Sequence, residues 1–324
     1  MSRAKKKRKD IRSAEKLPDS KAIVSDRKGR RTGFTIAAVV IAIILIVVGI
    51  FYYQDYVVPF HRTIITMDDT TINVGYLLKR IRVTGTDTMT MFESLTNEQL
   101  VRLGAPRYGI EVGSEDIDRE LRRIARGSSE TISESEFKEW YRQQLNKSGF
   151  SDSEYREIVG TALLANHLHE YLAEGTPTTA EQAHLHIILV ETLEEAEEVR
   201  ARWEAGEDFA DLAREVSMEW QSKEEGGDLG WLPRGILSTS FDYAAFKLSS
   251  GEISQPLLLT EEGGYYIFMV SEKDAARELT EEHRQLLKDR ALEYWLLGEV
   301  QFHEIAYNFD SEIHAWINWQ LSKK

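Results

Sequence analysis

The spacing of hydrophobic residues changes several times along the chain and predicts its folded elements. Residues 34–53, FTIAAVVIAIILIVVGIFYY, carry no charge, and about 20 such residues are enough for a helix to cross the hydrocarbon core of a bilayer. A short hairpin is predicted around residues 68–69. From there to Gly175, apolar residues recur at helical spacings. Ser133 and Ser151, which are residues typical of helix N-caps, begin two of the predicted helices.

A region with a different period follows the linker TPTTAEQ at residues 176–182. AHLHIILV, residues 183–190, has the alternating or wholly apolar pattern of a strand. Short helical patterns then alternate with a glycine-rich loop and further strands, two of them around a turn at Glu261–Gly264. The helical pattern returns from Thr280 to Leu321. We therefore expect a small α/β unit between two helical regions.

Charge is distributed very unevenly along the chain. Residues 1–33 contain 13 Lys/Arg and 4 Asp/Glu, a net charge of +9, whereas the whole chain carries −14, so that the remainder carries −23. Positive charge before an apolar helix favours a cytoplasmic N-terminus. The acidic remainder is then expected outside the membrane, and its charge argues against binding to nucleic acid.

The apolar segment has one alternative interpretation, a cleaved signal peptide. The apolar part of a signal peptide is shorter, about 7–15 residues, and a site with small residues follows it. Residues 34–53 are longer and have no such site, so we predict a retained anchor. The chain contains no cysteine, which excludes a thiol nucleophile, a disulfide and a lipid-modified cysteine.

A series of motifs fills residues 183–271. An apolar strand is followed by GEDFADLA, GGDLGW, FDYAAFKLSSGEISQP and GYYI, in that order. Together these motifs resemble the parvulin (PpiC) family of peptidyl-prolyl cis–trans isomerases. The helical regions on both sides resemble the SurA/PrsA-type foldases, in which a chaperone segment and a C-terminal helix embrace a parvulin unit.

The resemblance implies an α+β fold in which a parvulin-like domain, a four-stranded antiparallel sheet with surrounding helices, is inserted in a mostly helical chaperone domain. The predicted organisation is a cytoplasmic basic tail (1–33), a transmembrane anchor (34–53), a helical chaperone-like domain (60–176), the parvulin-like domain (183–271) and C-terminal helices that pack on the chaperone-like domain (278–324). The implied partners are the bilayer and unfolded or newly secreted proteins that contain X–Pro bonds.

Prolyl isomerisation requires the amide to be twisted against a barrier of about 18–20 kcal/mol. An apolar pocket for the proline ring and a few polar groups can do this without a metal or cofactor. The resemblance places substrate-binding residues at Leu237, Phe241 and Ile187, and catalytic residues at Glu219 and Tyr266. Ile187 and Tyr266 stand where the family has histidines. The Tyr266 hydroxyl can still donate a hydrogen bond.

Two histidines, His184 and His186, lie on one face of the first predicted strand. A metal site would need a third ligand, and the sequence offers no motif for one. We therefore predict no metal and no cofactor.

The sequence leaves two functions open. One is a tethered peptidyl-prolyl isomerase that assists the folding of secreted proteins. The alternative is a non-catalytic chaperone or peptide-binding protein with a degenerate parvulin domain, because both histidine positions are replaced.

Overall fold

The computed structural model describes residues 38–258 and 263–323 and divides them into two compact units. The first unit contains helix α1, Ala38–His61, which includes a π-helical turn at Tyr53–Val57. This helix has 24 residues and a mean hydropathy of 2.2 in its most apolar part, so it is long and apolar enough to cross a membrane. The predicted basic tail and the first four residues of the predicted anchor lie outside the described residues.

The second unit contains the remaining helices and both sheets. The first of its helices, α2, begins in the first unit. Its helices before residue 179 have 11–23 residues, and those after it have 8–12 residues. They are α2 (Val74–Thr84), α3 (Thr88–Gly104), α4 (Ser114–Arg126), α5 (Glu134–Ser148), α6 (Asp152–Glu174), α7 (Leu193–Glu204), α8 (Phe209–Val216), α9 (Thr239–Lys247), α10 (Glu281–Asp289), α11 (Ala291–Glu299) and α12 (Ser311–Ser322).

The strands belong to a small and a large sheet. They are β1 (Thr63–Met67), β2 (Thr70–Asn73), β3 (Thr179–Val190), β4 (Asp228–Pro233), β5 (Glu252–Ile253), β6 (Leu257–Leu258), β7 (Tyr265–Glu278) and β8 (Ile305–Tyr307). The small sheet has the order β2-β1-β8, and the large one has the order β4-β3-β7-β5 with β6 also paired to β7.

The predicted helix starts at Ser133 and Ser151 are confirmed. Each serine caps its helix through a reciprocal pair of hydrogen bonds with the glutamate three residues later, Glu136 and Glu154. Such a capping box satisfies backbone N–H groups that have no partner within the helix. The local sequence therefore determines where α5 and α6 begin.

The small sheet corrects the prediction of an unbroken helical pattern from Thr280 to Leu321. The hairpin β1–β2 was predicted, but β8 was not. β8 pairs antiparallel with β1 and places Tyr307 opposite Ile65. A strand of three residues is too short to show a period of two, so its conformation depends on pairing with a distant strand.

The large sheet has five strands, and the prediction of four was wrong. One segment splits into β5 and β6, which pair with the same strand: Ile253 lies opposite Met269, and Leu257 lies opposite Tyr266. Pro256 separates the two pieces. Proline has no N–H for a strand ladder, so the segment cannot pair continuously. The first two of the four residues of the predicted turn at Glu261–Gly264 lie outside the described residues.

The two faces of the large sheet pack against different helices, as the alternation of side chains along a strand requires. On one face, Ile188 and Val190 of β3 form a buried cluster with residues of α7 and α8. On the other, Leu185 packs with Phe246 of α9 and Val270 of β7. The second half of β3 thus contributes side chains to two separate cores.

Helix α11, from the region after the large sheet, packs against α3 and α6. Leu292, Trp295 and Leu296 lie against a cluster that includes Val101 and Leu168. This packing requires glycine at one position, because a Cβ on Gly104 would lie 2.5 Å from Cζ2 of Trp295.

An ionisable cluster joins the β1–β2 turn to the segment before β8. Nδ1 of His303 lies 2.7 Å from Oδ2 of Asp68, and its Nε2 lies 2.9 Å from Oε1 of Glu299. Glu299 is buried and also pairs with Arg107. Burial by itself would lower the pKa of His303, but the hydrogen bonds to the two carboxylates outweigh it and raise the pKa.

This cluster predicts that His303 stabilises the protein more at acidic than at basic pH. A raised folded-state pKa means that its contribution is complete below the unfolded value of about 6.5 and is lost as the pH rises through the folded value. The difference in unfolding midpoint between the wild type and His303→Gln should therefore be larger at about pH 6 than at about pH 8.5. His314→Gln, which removes a ring bonded to Asn318 rather than to a carboxylate, is the control. A pH-independent difference would contradict the assignment.

Candidate active site

An aromatic cluster lies on one face of the large sheet. Ile187 of β3 pairs with Phe268 of β7, and Leu189 pairs with Tyr266, so that Ile187 and Tyr266 are diagonal neighbours on this face. The Phe241 ring of α9 lies 5.0 Å from the ring of Tyr266 and 4.8 Å from that of Phe268. Three of the five residues proposed for the site, Ile187, Phe241 and Tyr266, therefore belong to one cluster.

The members of this cluster differ in exposure. Phe268 is fully buried, and Ile187 and Tyr266 are each 6% exposed, whereas Phe241 is half-buried and reaches solvent. Leu257 of β6 packs on the same cluster and is also half-buried. The arrangement is an apolar surface with a buried floor and accessible walls, which suits a small apolar ring such as that of proline.

Leu237 lies in the neighbouring core and not in the aromatic cluster. It packs with the group that contains Leu185 and Phe246, and Leu229 is common to both clusters. The Leu237 carbonyl accepts hydrogen bonds from Arg290 at 3.1 Å and from the Tyr294 hydroxyl at 3.3 Å. These bonds fix the segment before α9, which carries Phe241.

Glu219 lies in the loop after α8, and its carboxylate bonds within that loop. It accepts from the backbone N–H of Ser222 at 2.7 Å, from the Ser222 hydroxyl and from the N–H of Gln221 at 3.1 Å. Burial would raise the pKa of Glu219, but these hydrogen bonds outweigh it and lower the pKa, so that the group is ionised at neutral pH. In the described structure, Glu219 thus organises its own turn.

Both ends of this loop, residues 217–227, are attached to β3 beside the aromatic cluster. At one end, the Ser217 hydroxyl accepts from the N–H of Leu189 at 3.2 Å, and the N–H of Met218 donates to the Leu189 carbonyl at 2.7 Å. At the other end, the N–H of Ile187 donates to the Gly227 carbonyl at 2.8 Å. The loop that carries Glu219 is therefore held against the strand that carries Ile187.

One residue of this loop was missed by the sequence reasoning. Trp220 is 78% exposed, and Met218 beside it is 46% exposed. A tryptophan within an otherwise polar stretch, MEWQSKEEGG, was a detectable signal, because large exposed apolar side chains often mark contact surfaces.

His184 and His186 lie on the opposite face of β3. Nε2 of His184 is 2.8 Å from Oδ1 of Asp228, and the two imidazole rings stack with centroids 5.2 Å apart. Burial lowers the pKa of His186, because desolvation disfavours the charged imidazolium. The fold thus brings Asp228, from the GGDLGW motif, to a histidine pair for which the sequence offered no third ligand.

A comparison with known families and proteins tests the resemblance of the sequence to parvulins. The model of the family described as "Rotamase: PPIC-type PPIASE domain" matches residues 188–272. "Foldase protein PrsA" of Halalkalibacterium halodurans is 31% identical over 218 residues, which are 62% of this chain and 63% of the relative. This chain therefore spans just under two thirds of that relative.

A second relative is matched over more of its length. "Foldase protein PrsA" of Oceanobacillus iheyensis is 31% identical over 218 residues, which are 65% of this chain and 70% of the relative. A crystal structure of the peptidylprolyl isomerase PrsA from Bacillus anthracis, 20% identical, covers 72% of this chain and 96% of its own chain with a TM-score of 0.36. The resemblance to the parvulin domain is confirmed by the family match, and the chain, which carries a PPIC-type peptidyl-prolyl isomerase domain, belongs to the family of foldase protein PrsA.

Proposed function

We propose that this PrsA-family chain is a membrane-tethered, extracytoplasmic foldase that isomerises X–Pro bonds in unfolded or newly secreted proteins. The observation that carries the proposal is the packing of the half-buried Phe241 ring at 5.0 Å from Tyr266, over the face of the isomerase-like sheet. An accessible aromatic wall can bind a proline ring, and a hydroxyl-bearing residue beside it can supply a polar group that favours the twisted amide.

The catalytic part of the proposal follows from the electronic structure of the amide. In the planar amide the nitrogen lone pair is delocalised, and twisting the bond localises it on nitrogen. The apolar walls bind the proline ring and remove water from the amide, and a hydroxyl donor then interacts more strongly with the twisted form than with the planar one. We assign this donor to Tyr266 and the proline contact to Phe241 and Ile187. Leu237 packs in the neighbouring core, next to this site.

Glu219 has a different role in this scheme. Its lowered pKa keeps it ionised, and its hydrogen bonds to Ser222 and Gln221 shape the loop that borders the aromatic cluster. We infer that Glu219 positions this loop, including the exposed Trp220, against an extended client.

The rest of the chain provides a membrane anchor and a domain that holds clients. We propose that residues 34–53 anchor the chain in the bilayer with the basic residues 1–33 in the cytoplasm, since positive charge favours that side. The helical regions 60–176 and 278–324 then form one client-holding domain around the isomerase unit at 183–271. Packing of α11 on α3 and α6 supports this arrangement.

One observation favours a second function, that of a non-catalytic chaperone. Ile187, which is apolar and 6% exposed, stands at the position where the parvulin family usually has a histidine. A site without that histidine can bind proline-containing segments while lacking part of the polar network. The parvulin unit would then serve as a peptide clamp.

A direct assay separates the two functions. The full chain in detergent micelles should accelerate cis–trans isomerisation of a proline-containing tetrapeptide, and Tyr266→Phe should lower kcat by about tenfold, as the loss of one transition-state hydrogen bond of about 1.4 kcal/mol implies. Suppression of the aggregation of a chemically unfolded model protein is measured in parallel. No acceleration above background, with intact suppression, would leave only the chaperone function.

A further inference from the structure

The cluster of His184, His186 and Asp228 has the composition and geometry of a metal site. One ligand atom from each residue lies within 4.8 Å of those of the other two, and no second cluster of this kind occurs among residues 38–258 and 263–323. Asp228 is the direct cross-strand partner of His186, and His184 lies two residues earlier on the same face of β3. Two adjacent strands therefore present all three ligands in the same direction.

The hydrogen bonds leave a nitrogen of His186 available for coordination. The Ser271 hydroxyl donates to the His184 carbonyl at 3.2 Å, so it accepts from Nε2–H of His186, 3.3 Å away. In this tautomer, Nδ1 of His186 carries a lone pair, and it is buried without a hydrogen-bond partner. Metal-bound histidines commonly use one nitrogen for the metal and donate with the other.

The surroundings of the cluster also suit a cation. Asp208, the N-cap residue of α8, adds negative charge near His186. Arg214, which lies against Gly226 at the end of the loop, is paired with Asp211 at 2.8 Å. Arg277 stacks over the Trp231 ring with its guanidinium carbon 4.2 Å from the ring centroid. These two arginines are thus engaged with other groups.

We propose that His184, His186 and Asp228 bind a divalent transition-metal ion of the zinc type. Two imidazoles and one carboxylate suit Zn²⁺, with a fourth position for water, and they do not suit Mg²⁺ or Ca²⁺, which prefer oxygen ligands. The ion bridges β3 to the start of β4 and replaces the bond between His184 and Asp228. The ion thereby fixes the glycine turn at the end of the loop that carries Glu219. It lies on the face of β3 away from the aromatic cluster.

Titration calorimetry of the full chain in detergent, purified without a polyhistidine tag, tests this proposal with Zn²⁺. One Zn²⁺ should bind per chain, and His184→Gln and Asp228→Asn should each weaken binding by at least about tenfold, since even supporting residues of metal sites contribute this much. The matched control His314→Gln, on α12, should bind as the wild type does. Saturating Zn²⁺ should also raise the unfolding midpoint by roughly 5 °C in the wild type only.

A second measurement does not depend on how the variants fold. Co²⁺ added to the wild-type chain should produce the visible absorption bands of a tetrahedral site with nitrogen and oxygen ligands, and Zn²⁺ should displace it. Binding that is unchanged in His184→Gln and Asp228→Asn overturns the proposal. So does the absence of both saturable Zn²⁺ binding and Co²⁺ bands.

Discussion

Replacing Phe241 by alanine should reduce kcat/KM for prolyl isomerisation by about 10- to 100-fold, because burying an aromatic or aliphatic side chain is worth about 1.5–3 kcal/mol and about 1.4 kcal/mol corresponds to a factor of ten. Phe241 is the accessible aromatic wall of the cluster, 5.0 Å from Tyr266 and 4.8 Å from Phe268. Alanine removes the surface against which the proline ring packs. The measurement is the peptide isomerisation assay with the full chain in detergent.

Two further variants make the Phe241 result interpretable. Tyr243→Ala removes a ring from the same helix, but this ring is 68% exposed and belongs to no described core, so activity should stay at the wild-type level. Phe241→Leu keeps an apolar side chain on α9 and should retain part of the activity. Full activity of Phe241→Ala, with an unchanged unfolding midpoint, would show that the proline site lies elsewhere.

Replacing Gly227 by alanine should destabilise the α/β unit by about 2–5 kcal/mol, the sum of about 1–2 kcal/mol for a left-handed backbone and about 1–3 kcal/mol for overpacking. Gly227 has φ +76°, and a Cβ there would lie 2.2 Å from the carbonyl oxygen of Ile187. Its own carbonyl accepts from the N–H of Ile187 at 2.8 Å. The added methyl group would therefore separate the loop from β3 and break that bond. Urea denaturation of the full chain in detergent measures the loss.

Gly230 offers a matched control for this substitution. It has φ +72°, but a Cβ there would meet nothing within 4 Å. Gly230→Ala should thus cost only the backbone strain, about 1–2 kcal/mol. Equal losses at the two positions would show that the close approach of Gly227 to Ile187 contributes nothing to stability.

Much of the α/β unit could be predicted because its signals are local. The motifs between residues 183 and 271 correspond closely to the family match at 188–272. Three such signals involve only residues that are close together in the chain. They are the period of β3, the cap-type residues before α5 and α6, and the glycines of GGDLGW. Gly227, for example, supplies a positive φ that few other residues adopt.

The candidate site was predictable only in part. The positions of Ile187, Phe241 and Tyr266 followed from the motifs, and the fold brings these three together. Leu237 lies in the adjoining core, and Glu219 bonds within its own loop. Motif order identifies which residues stand at which positions, but it contains no information on where a flexible side chain finds its hydrogen-bond partners.

By itself, the sequence determined the apolar span, the change from helical to strand period and the parvulin-type order of motifs, because each of these depends on residues close together in the chain. Only the tertiary structure decided the pairing of Tyr307 with Ile65, the division of one strand into β5 and β6, and the meeting of Asp228 with His184 and His186. These contacts join residues that lie far apart in sequence or depend on strand register. They form only when the whole fold brings the two backbone edges and their side chains together, and no local hydrophobic period predicts that.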